Sequence, residues 1–251
     1  MQNKLIIEHT SNAGLYIEID GVSLLVDSIF QKDNDFDPLS EELEKEIFSK
    51  EGMYADVDCI LFTHGHYDHY DYQMSRRYME MFPETKIAAP ECVFAVGGWT
   101  VLDFRSGRTI MFNENKDGFF KIKDITVFYY SSRHLDYGFS NFSFHYSFII
   151  KKGDISIFIS GDAQIEGKLI SLLKNENTFN AAFFNPVVLY NNETRKVFDD
   201  IKAENKYIYH LPKKNNDIFK YRKTAEFFYN KHKDKLNNCK LLLGEIEEVL
   251  T

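Results

Sequence analysis

Cross-links, cationic patches and membrane-length apolar runs are all scarce in these 251 residues. The three cysteines, Cys59, Cys92 and Cys239, are odd in number, far apart and set in apolar contexts. They exclude a disulfide framework and read as reduced, buried thiols. Lys and Arg total 30 against 38 Asp and Glu, a formal net charge of −8. A surface of that sign is not built to neutralise phosphates, which argues against nucleic acid as a partner. No segment has the unbroken apolar length that spans a bilayer. The opening residues, Met1 to His9, carry no long apolar stretch followed by a small-residue cleavage site. Gly/Ser linkers, low-complexity tracts, residue-level repeats and a Gly-x-Ser-x-Gly nucleophile motif are also missing. The expectation is a cytoplasmic protein without membrane or nucleic-acid partners, acting on a small molecule, with its oligomeric state open.

What is present is ordinary globular material, 44% hydrophobic and 27% charged, on a chain long enough to bury a substantial core. Leu5 to Glu8, Leu15 to Ile19 and Val22 to Asp27 read as strands, the last two joined by an Asp20-Gly21 hairpin turn. An acidic connection, Lys32 to Pro38, leads to a helix over Leu39 to Ser49, then a strand over Asp58 to Phe62. A helix near Asp71 to Met81 and a short strand ended by Pro90 follow. From about Arg108 the pattern restarts: Thr109 to Phe112, Phe119 to Ile122 and Ile125 to Tyr130 read as a meander. Phe142 to Ile150 and Ile155 to Ser160 form a hairpin. Helices near Ile165 to Leu173, Glu193 to Ile201 and Phe219 to Leu236 alternate with strands at Ala181 to Phe184, Tyr207 to Tyr209 and Lys240 to Leu243. Strands precede helices twice, so the expectation is one domain over 1–251 in two similar halves, about 1–107 and 108–251. Two packed sheets with helices outside would bury these runs.

The densest chemistry lies in Thr63-His64-Gly65-His66-Tyr67-Asp68-His69, directly after an apolar strand. With 8 His in 251 residues, three specified positions are all His by chance only about 3 times in 100,000. In an extended backbone, side chains two apart point the same way, so His64 and His66 can close on one metal ion. Asp68 and His69 follow where the chain turns toward the next helix, placed to hold a second ion. Three more residues each end an apolar strand: His134 after Phe128 to Arg133, Asp162 after Ile157 to Gly161, and His210 after Tyr207 to Tyr209. Singly, a His at a strand end is more often structural, and an Asp after Ser-Gly is usually a turn former. Together with the motif they make seven donors, five His and two Asp, the number that two metal ions need.

That order, His-x-His-x-Asp-His and then a distant His, an Asp and a final His, resembles the signature of the metallo-β-lactamase-fold hydrolase superfamily. The resemblance runs from Asp27 to His210 and implies an α/β chain in a four-layer αβ/βα sandwich. It implies His64, His66 and His134 on a first metal and Asp68, His69 and His210 on a second, with Asp162 bridging. Asn12 to Glu18, Val26-Asp27 and Thr63 to His69 look most like the ascorbate-6-phosphate lactonase-like branch. Asn12 stands where many members have His. Asp27 stands where the family keeps an acidic residue, and both a second-shell partner for a ligand imidazole and a plain strand-end cap fit it. The flavodiiron branch has Glu at the position of His66, and the lactam-cleaving branch has Cys at that of Asp162.

The resemblance implies two divalent cations, with zinc the first expectation and manganese or iron also compatible. The implied chemistry is a metal-dependent hydrolase whose bridging hydroxide attacks a small ester, lactone or phosphoester, with Asp68 as the catalytic acid–base. A non-catalytic metal-binding sensor and a di-iron redox protein are the alternatives. Arg133, Lys213 and Lys214 flank ligand positions and could meet an anionic substrate, although solvated surface charge is the commoner role. Trp99, Phe94 and the segment near Tyr190 could line a pocket. His145 and His232 read as structural or solvated, and His9 could approach the site from the first strand.

Overall fold

The computed structural model describes residues 4–31, 36–96, 98–135, 144–176, 178–190 and 192–250. Its first three strands, β1 (Leu5–His9), β2 (Leu15–Ile19) and β3 (Val22–Val26), pair antiparallel in turn. Asp20 and Gly21 both have positive φ, 48° and 76°, the backbone twist favoured in two-residue hairpin loops. The chain then runs parallel: β3 lies beside β4 (Cys59–Leu61), β4 beside β5 (Lys86–Pro90), and β5 beside β6 (Thr109–Phe112). Parallel neighbours need crossovers, and these hold α1 (Glu41–Ile47), α2 (Tyr72–Met81), α3 (Glu91–Val96) and α4 (Val101–Arg105). Ser40 and Asp71 start α1 and α2 by accepting the Leu43 and Met74 amides, as N-cap side chains do.

The second half repeats this plan. The strands β7 (Gly118–Ile122), β8 (Ile125–Ser132), β9 (His145–Lys152) and β10 (Ile155–Ile159) pair antiparallel. After them β10, β11 (Phe179–Phe184), β12 (Ala203–Ile208) and β13 (Cys239–Leu241) run parallel. Between these lie α5 (Gly167–Asn175), α6 (Asn192–Asp200) and α7 (Tyr221–His232). A last strand, β14 (Glu247–Leu250), returns to pair with β1. The two seven-stranded sheets are ordered β14-β1-β2-β3-β4-β5-β6 and β13-β12-β11-β10-β9-β8-β7.

Period-two alternation sorts the strand side chains into layers. Leu15, Ile17, Leu24, Val26, Cys59 and Leu61 join Phe148, Ile150, Ile157 and Phe183 in one cluster between the sheets. Their neighbours Tyr16, Leu25 and Ile60 face the other way, against Leu43, Ile47 and Tyr78 of α1 and α2. In the second sheet Ile149, Phe158 and Ala182 pack outward on Leu169, Leu173 and Phe198 of α5 and α6. Helix, sheet, sheet, helix is the expected four-layer αβ/βα sandwich.

Some expectations need correcting. The segments at 109–112, 119–122 and 125–130 are not one meander: β6 pairs parallel with β5 in the first sheet, while β7 opens the second. The central part of β5 is fully buried, and its outer edge needs a hydrogen-bonding partner, which β6 supplies. The chain therefore changes sheets after Phe112. Nothing in the sequence reading anticipated β14, α3 or α4, and α7 is shorter than the span 219–236. The start of the expected strand at Phe142, and Lys32 to Asp35, lie outside the described residues. Cys59, Cys92 and Cys239 are free thiols, and burial raises the pKa of each. Among the described residues, no helix is long and apolar enough to cross a membrane.

Candidate metal centre

The carboxyl ends of β3, β4, β8, β10 and β12 meet at one edge of the sandwich, where main-chain bonds join the sheets. Tyr146 N donates to Thr63 O at 3.0 Å, and His210 N to Asn12 O at 2.9 Å. Past β4 the chain turns tightly, with the His69 and Tyr70 amides both bonded to His66 O. This turn brings Asp68 and His69 back to the point that His64 and His66 face. Past β8, residues 133–135 continue as a short antiparallel bridge with 162–164, which sets His134 beside Asp162. His210 follows β12 in the left-handed backbone region, φ 59°, which His tolerates better than most residues.

All seven expected residues come together. Three groups, His64–His66–His134, His64–His69–Asp162 and Asp68–His69–His210, each have their donor atoms within 4.8 Å of one another. The His64 and His134 Nε2 atoms are 3.3 Å apart. Two nitrogens bound about 2.05 Å from one tetrahedral ion would stand about 3.3 Å apart, so this pair fits a shared cation. Asp162 reaches across the groups: Oδ2 lies 3.5 Å from both His69 Nε2 and His134 Nε2, and Oδ1 3.3 Å from His210 Nε2. Asp68 Oδ2 is 3.3 Å from His210 Nε2.

The surrounding shell fixes which ring nitrogens carry protons. Asp27, fully buried at the end of β3, accepts the Thr63 amide on Oδ1 at 2.8 Å. Its Oδ2 accepts the Thr63 hydroxyl at 2.7 Å and His69 Nδ1–H at 3.0 Å. Because Thr63 gives its only hydroxyl proton to Asp27, the 3.0 Å contact between Thr63 Oγ1 and His64 Nδ1 needs the proton on Nδ1. With Nδ1 engaged as donor on both rings, Nε2 of His64 and of His69 is the nitrogen turned to the centre, the one a cation would take. Of the two roles open to Asp27, a partner for ligand-type imidazoles is the one its geometry serves.

Charge balance points the same way. Burial opposes an imidazolium at His210, but Asp162 and Asp68 override it and raise its pKa to about 9. Burial likewise opposes protonation of His69, and Asp68, Asp27 and Asp162 outweigh it. The two Nε2 atoms are 2.8 Å apart, so one proton fits between them, shared by His69 and His210. Asp162 is held ionised, since His210 and His69 together outweigh its burial. His64, by contrast, is pushed well below the usual imidazole range by burial and by His69 and His134. Asp27, Asp68 and the partly buried Asp162 thus gather positive charge that one proton only partly supplies.

Residues outside the expected set complete the centre. His145 begins β9, buried, and was expected to be structural or solvated. Its Nε2 accepts the Asp162 amide at 2.8 Å, and Nδ1 then donates to Ser132 Oγ at 2.7 Å. Asn185 clamps the same loop from the other side, donating to Gly161 O and Ala163 O. Neither carries a local sequence signal, because each acts on backbone groups brought near by strand pairing. His9 does reach toward the site but bonds Asn12 O rather than joining a donor group, and Asn12 Nδ2 donates to Asp68 O. His232 lies on α7 beside Arg195.

A cavity of about 660 Å³ opens over the centre, with His66, Asp68, His134, Asp162 and His210 on its floor. Of the parts expected to line it, the segment near Tyr190 does, through Pro186, Val187 and Val188, but Phe94, Trp99 and Tyr190 themselves do not. Phe94 and Trp99 pack on each other over the first sheet, and Tyr190 packs on Phe228. Arg133, Lys213 and Lys214 are also absent from the cavity wall, and Lys213 pairs with Glu245 at 3.0 Å.

No protein-family model matches the chain, and no curated protein matches it. Solved structures do. A novel metallo hydrolase, Igni18 from Ignicoccus hospitalis, superposes with a TM-score of 0.64 at 14% identity, over 98% of this chain and 97% of that one. The metallo-β-lactamase fold protein YhfI from Bacillus subtilis does so at 0.61 and 13% identity, over 98% and 99%. CmlA, a diiron β-hydroxylase from Streptomyces venezuelae, reaches 0.65 at 13% identity, covering all of this chain but 55% of that one. The fold is therefore the metallo-β-lactamase fold, and this chain places seven His and Asp side chains at the joined edge of its two sheets.

Proposed function

We propose that the chain is a metal-dependent hydrolase that cleaves a small ester, lactone or phosphoester. The observation that carries this reading is the pair of Nε2 atoms on His64 and His69, oriented by Asp27 and Thr63 beside an ionised Asp162. His64, His66 and His134 would hold one ion and Asp68, His69 and His210 a second, with Asp162 reaching both. Seven donors exceed what one tetrahedral ion uses, and imidazole with carboxylate suits zinc. Divalent ions there would supply Lewis acidity toward the substrate oxygen and hydroxide at neutral pH.

The chain's own residues do the rest. Asp68 lies on the cavity floor, its carboxyl held below the usual range as His69 and His210 outweigh its burial. As a carboxylate it would accept a proton from the attacking water and then pass that same proton to the leaving oxygen. His145 and Asn185 hold the Asp162 loop still, and closure of the floor by Phe36 over His210 excludes solvent on that side.

The test is metal analysis of the purified protein together with turnover on generic esters, lactones and bis-p-nitrophenyl phosphate. We expect bound zinc, hydrolysis of at least one class, and joint loss of metal and turnover in His66→Ala. Full activity in His66→Ala would end this reading. Iron with visible absorption would favour the redox alternative, which the diiron neighbour raises. Bound metal without turnover would favour a sensor. The lactonase-like branch is supported by the segments Asn12 to Glu18 and Thr63 to His69, and a lactone preference in the panel would test it.

A further inference from the structure

We propose that the molecule cleaved here carries an uncharged, apolar arm beside the scissile bond, which removes substrates with an anionic arm from the proposed range. This rests on the hydrolase reading above and narrows its substrate class. A cavity of 660 Å³ lies within the range that takes a drug-sized ligand, about 300–1,000 Å³. Above the His and Asp floor much of its wall is aliphatic: Ile165, Ile170, Val187, Val188 and Val197 come from the segment after β10, from α5, from the turn after β11 and from α6, with Gln164, Asn185 and Thr194 among them. Its described lining contains no Lys or Arg.

Among the described residues, those on the wall that carry charge are Glu166 and Glu193, both acidic. An anionic arm would leave water for a surface without a cation and with carboxylates nearby, and both effects oppose binding. Among the described lining residues, positive charge is available at the floor, where the reacting group sits. Phe219 lines the cavity and is 62% exposed, and its chain neighbour Ile218 is 65% exposed. Apolar surface thus continues from the interior to the rim, which suits an arm longer than the cavity is deep.

The test compares octanamide, an uncharged and slowly cleaved mimic of the acyl side, with its equal-length analogue ending in a sulfonate. Binding to the purified protein is followed by NMR or calorimetry, so the result does not require turnover. We expect octanamide to bind at least tenfold more tightly than the sulfonate. Val197→Lys should narrow or invert that ratio, whereas Val197→Met should keep it. Equal binding, preference for the sulfonate, or no binding of octanamide at its solubility limit would each overturn the proposal. If octanamide binds as expected but no ester or lactone is cleaved, the hydrolase reading fails and the character of the cavity stands.

Discussion

Replacing Asp27 with Asn tests whether this carboxylate sets the protonation of two ligand-type imidazoles at once. In the native site Oδ2 is a pure acceptor, taking the Thr63 hydroxyl and His69 Nδ1–H. An amide in the same place keeps Oδ1 on the Thr63 amide and turns Nδ2 toward both former donors. Thr63 Oγ1 must then accept from Asn and donate to His64, and His69 Nδ1 must accept as well. Both rings are driven to carry their proton on Nε2, where a cation would have to bind. Losing an outer partner costs about 10–100-fold in metal affinity per ligand. Two affected imidazoles sharing one carboxylate give an expected loss of about 100–1,000-fold, roughly 3–4 kcal/mol. Competition against a chromophoric zinc chelator near neutral pH reads this directly, with circular dichroism to confirm folding. Thr63→Val serves as the partial case, since it breaks the path to His64 and leaves His69 on Asp27. It should cost about 10–100-fold. Asp27→Asn with native affinity, or Thr63→Val worse than Asp27→Asn, would refute the assignment.

Metal binding should release protons. With His210 raised to about 9, its charge stabilises the metal-free fold fully below the unfolded value near 6.5, and that contribution disappears as pH rises through about 9. A cation replaces this proton, so apparent affinity should weaken as pH falls from about 9 toward 6.5; calorimetry in two buffers of different ionisation enthalpy should show close to one proton released, and none would contradict the charge balance. Gly161→Ala should be costly, because φ is +55° and a Cβ would stand 2.4 Å from His145 Nε2 and 2.9 Å from Thr63 Cγ2. A loss of about 2–4 kcal/mol and a Tm fall of about 5–15 °C are expected. Gly167→Ala, with φ +52° and nothing within 4 Å of its Cβ, carries only the backbone penalty and should fall by less; equal falls would show that the crowding is relieved elsewhere.

The layering was legible because it is a local property. Alternation along Leu15 to Ile19 or Cys59 to Leu61 assigns each side chain to one face or the other, and both faces turn out buried. Strand partnership was not legible, because it depends on edges. Thr109 to Phe112 is as apolar as a meander strand should be, and only the unsatisfied edge of β5 decides that it stays in the first sheet. β14 shows the converse. Glu247 and Glu248 hide a strand whose pairing with β1 supplies the hydrogen bonds that its composition does not advertise.

The centre divides along the same line. His64 to His69 could be read because all of their geometry lies within one turn of chain, and His134, Asp162 and His210 could be added because each ends a strand. Asp27 was visible as an acidic residue at a strand end, but its choice between cap and partner needed the distance to His69. His145 gave no signal, since its target is the Asp162 main-chain amide rather than a side chain with its own motif. The cavity wall is the least legible part. Ile165, Val187 and Val197 belong to three separate connections, and only their common orientation over the donors makes them a binding surface. The chemistry of the site follows from polar residues that sequence spacing can group, whereas its choice of substrate follows from apolar residues that only the fold brings together.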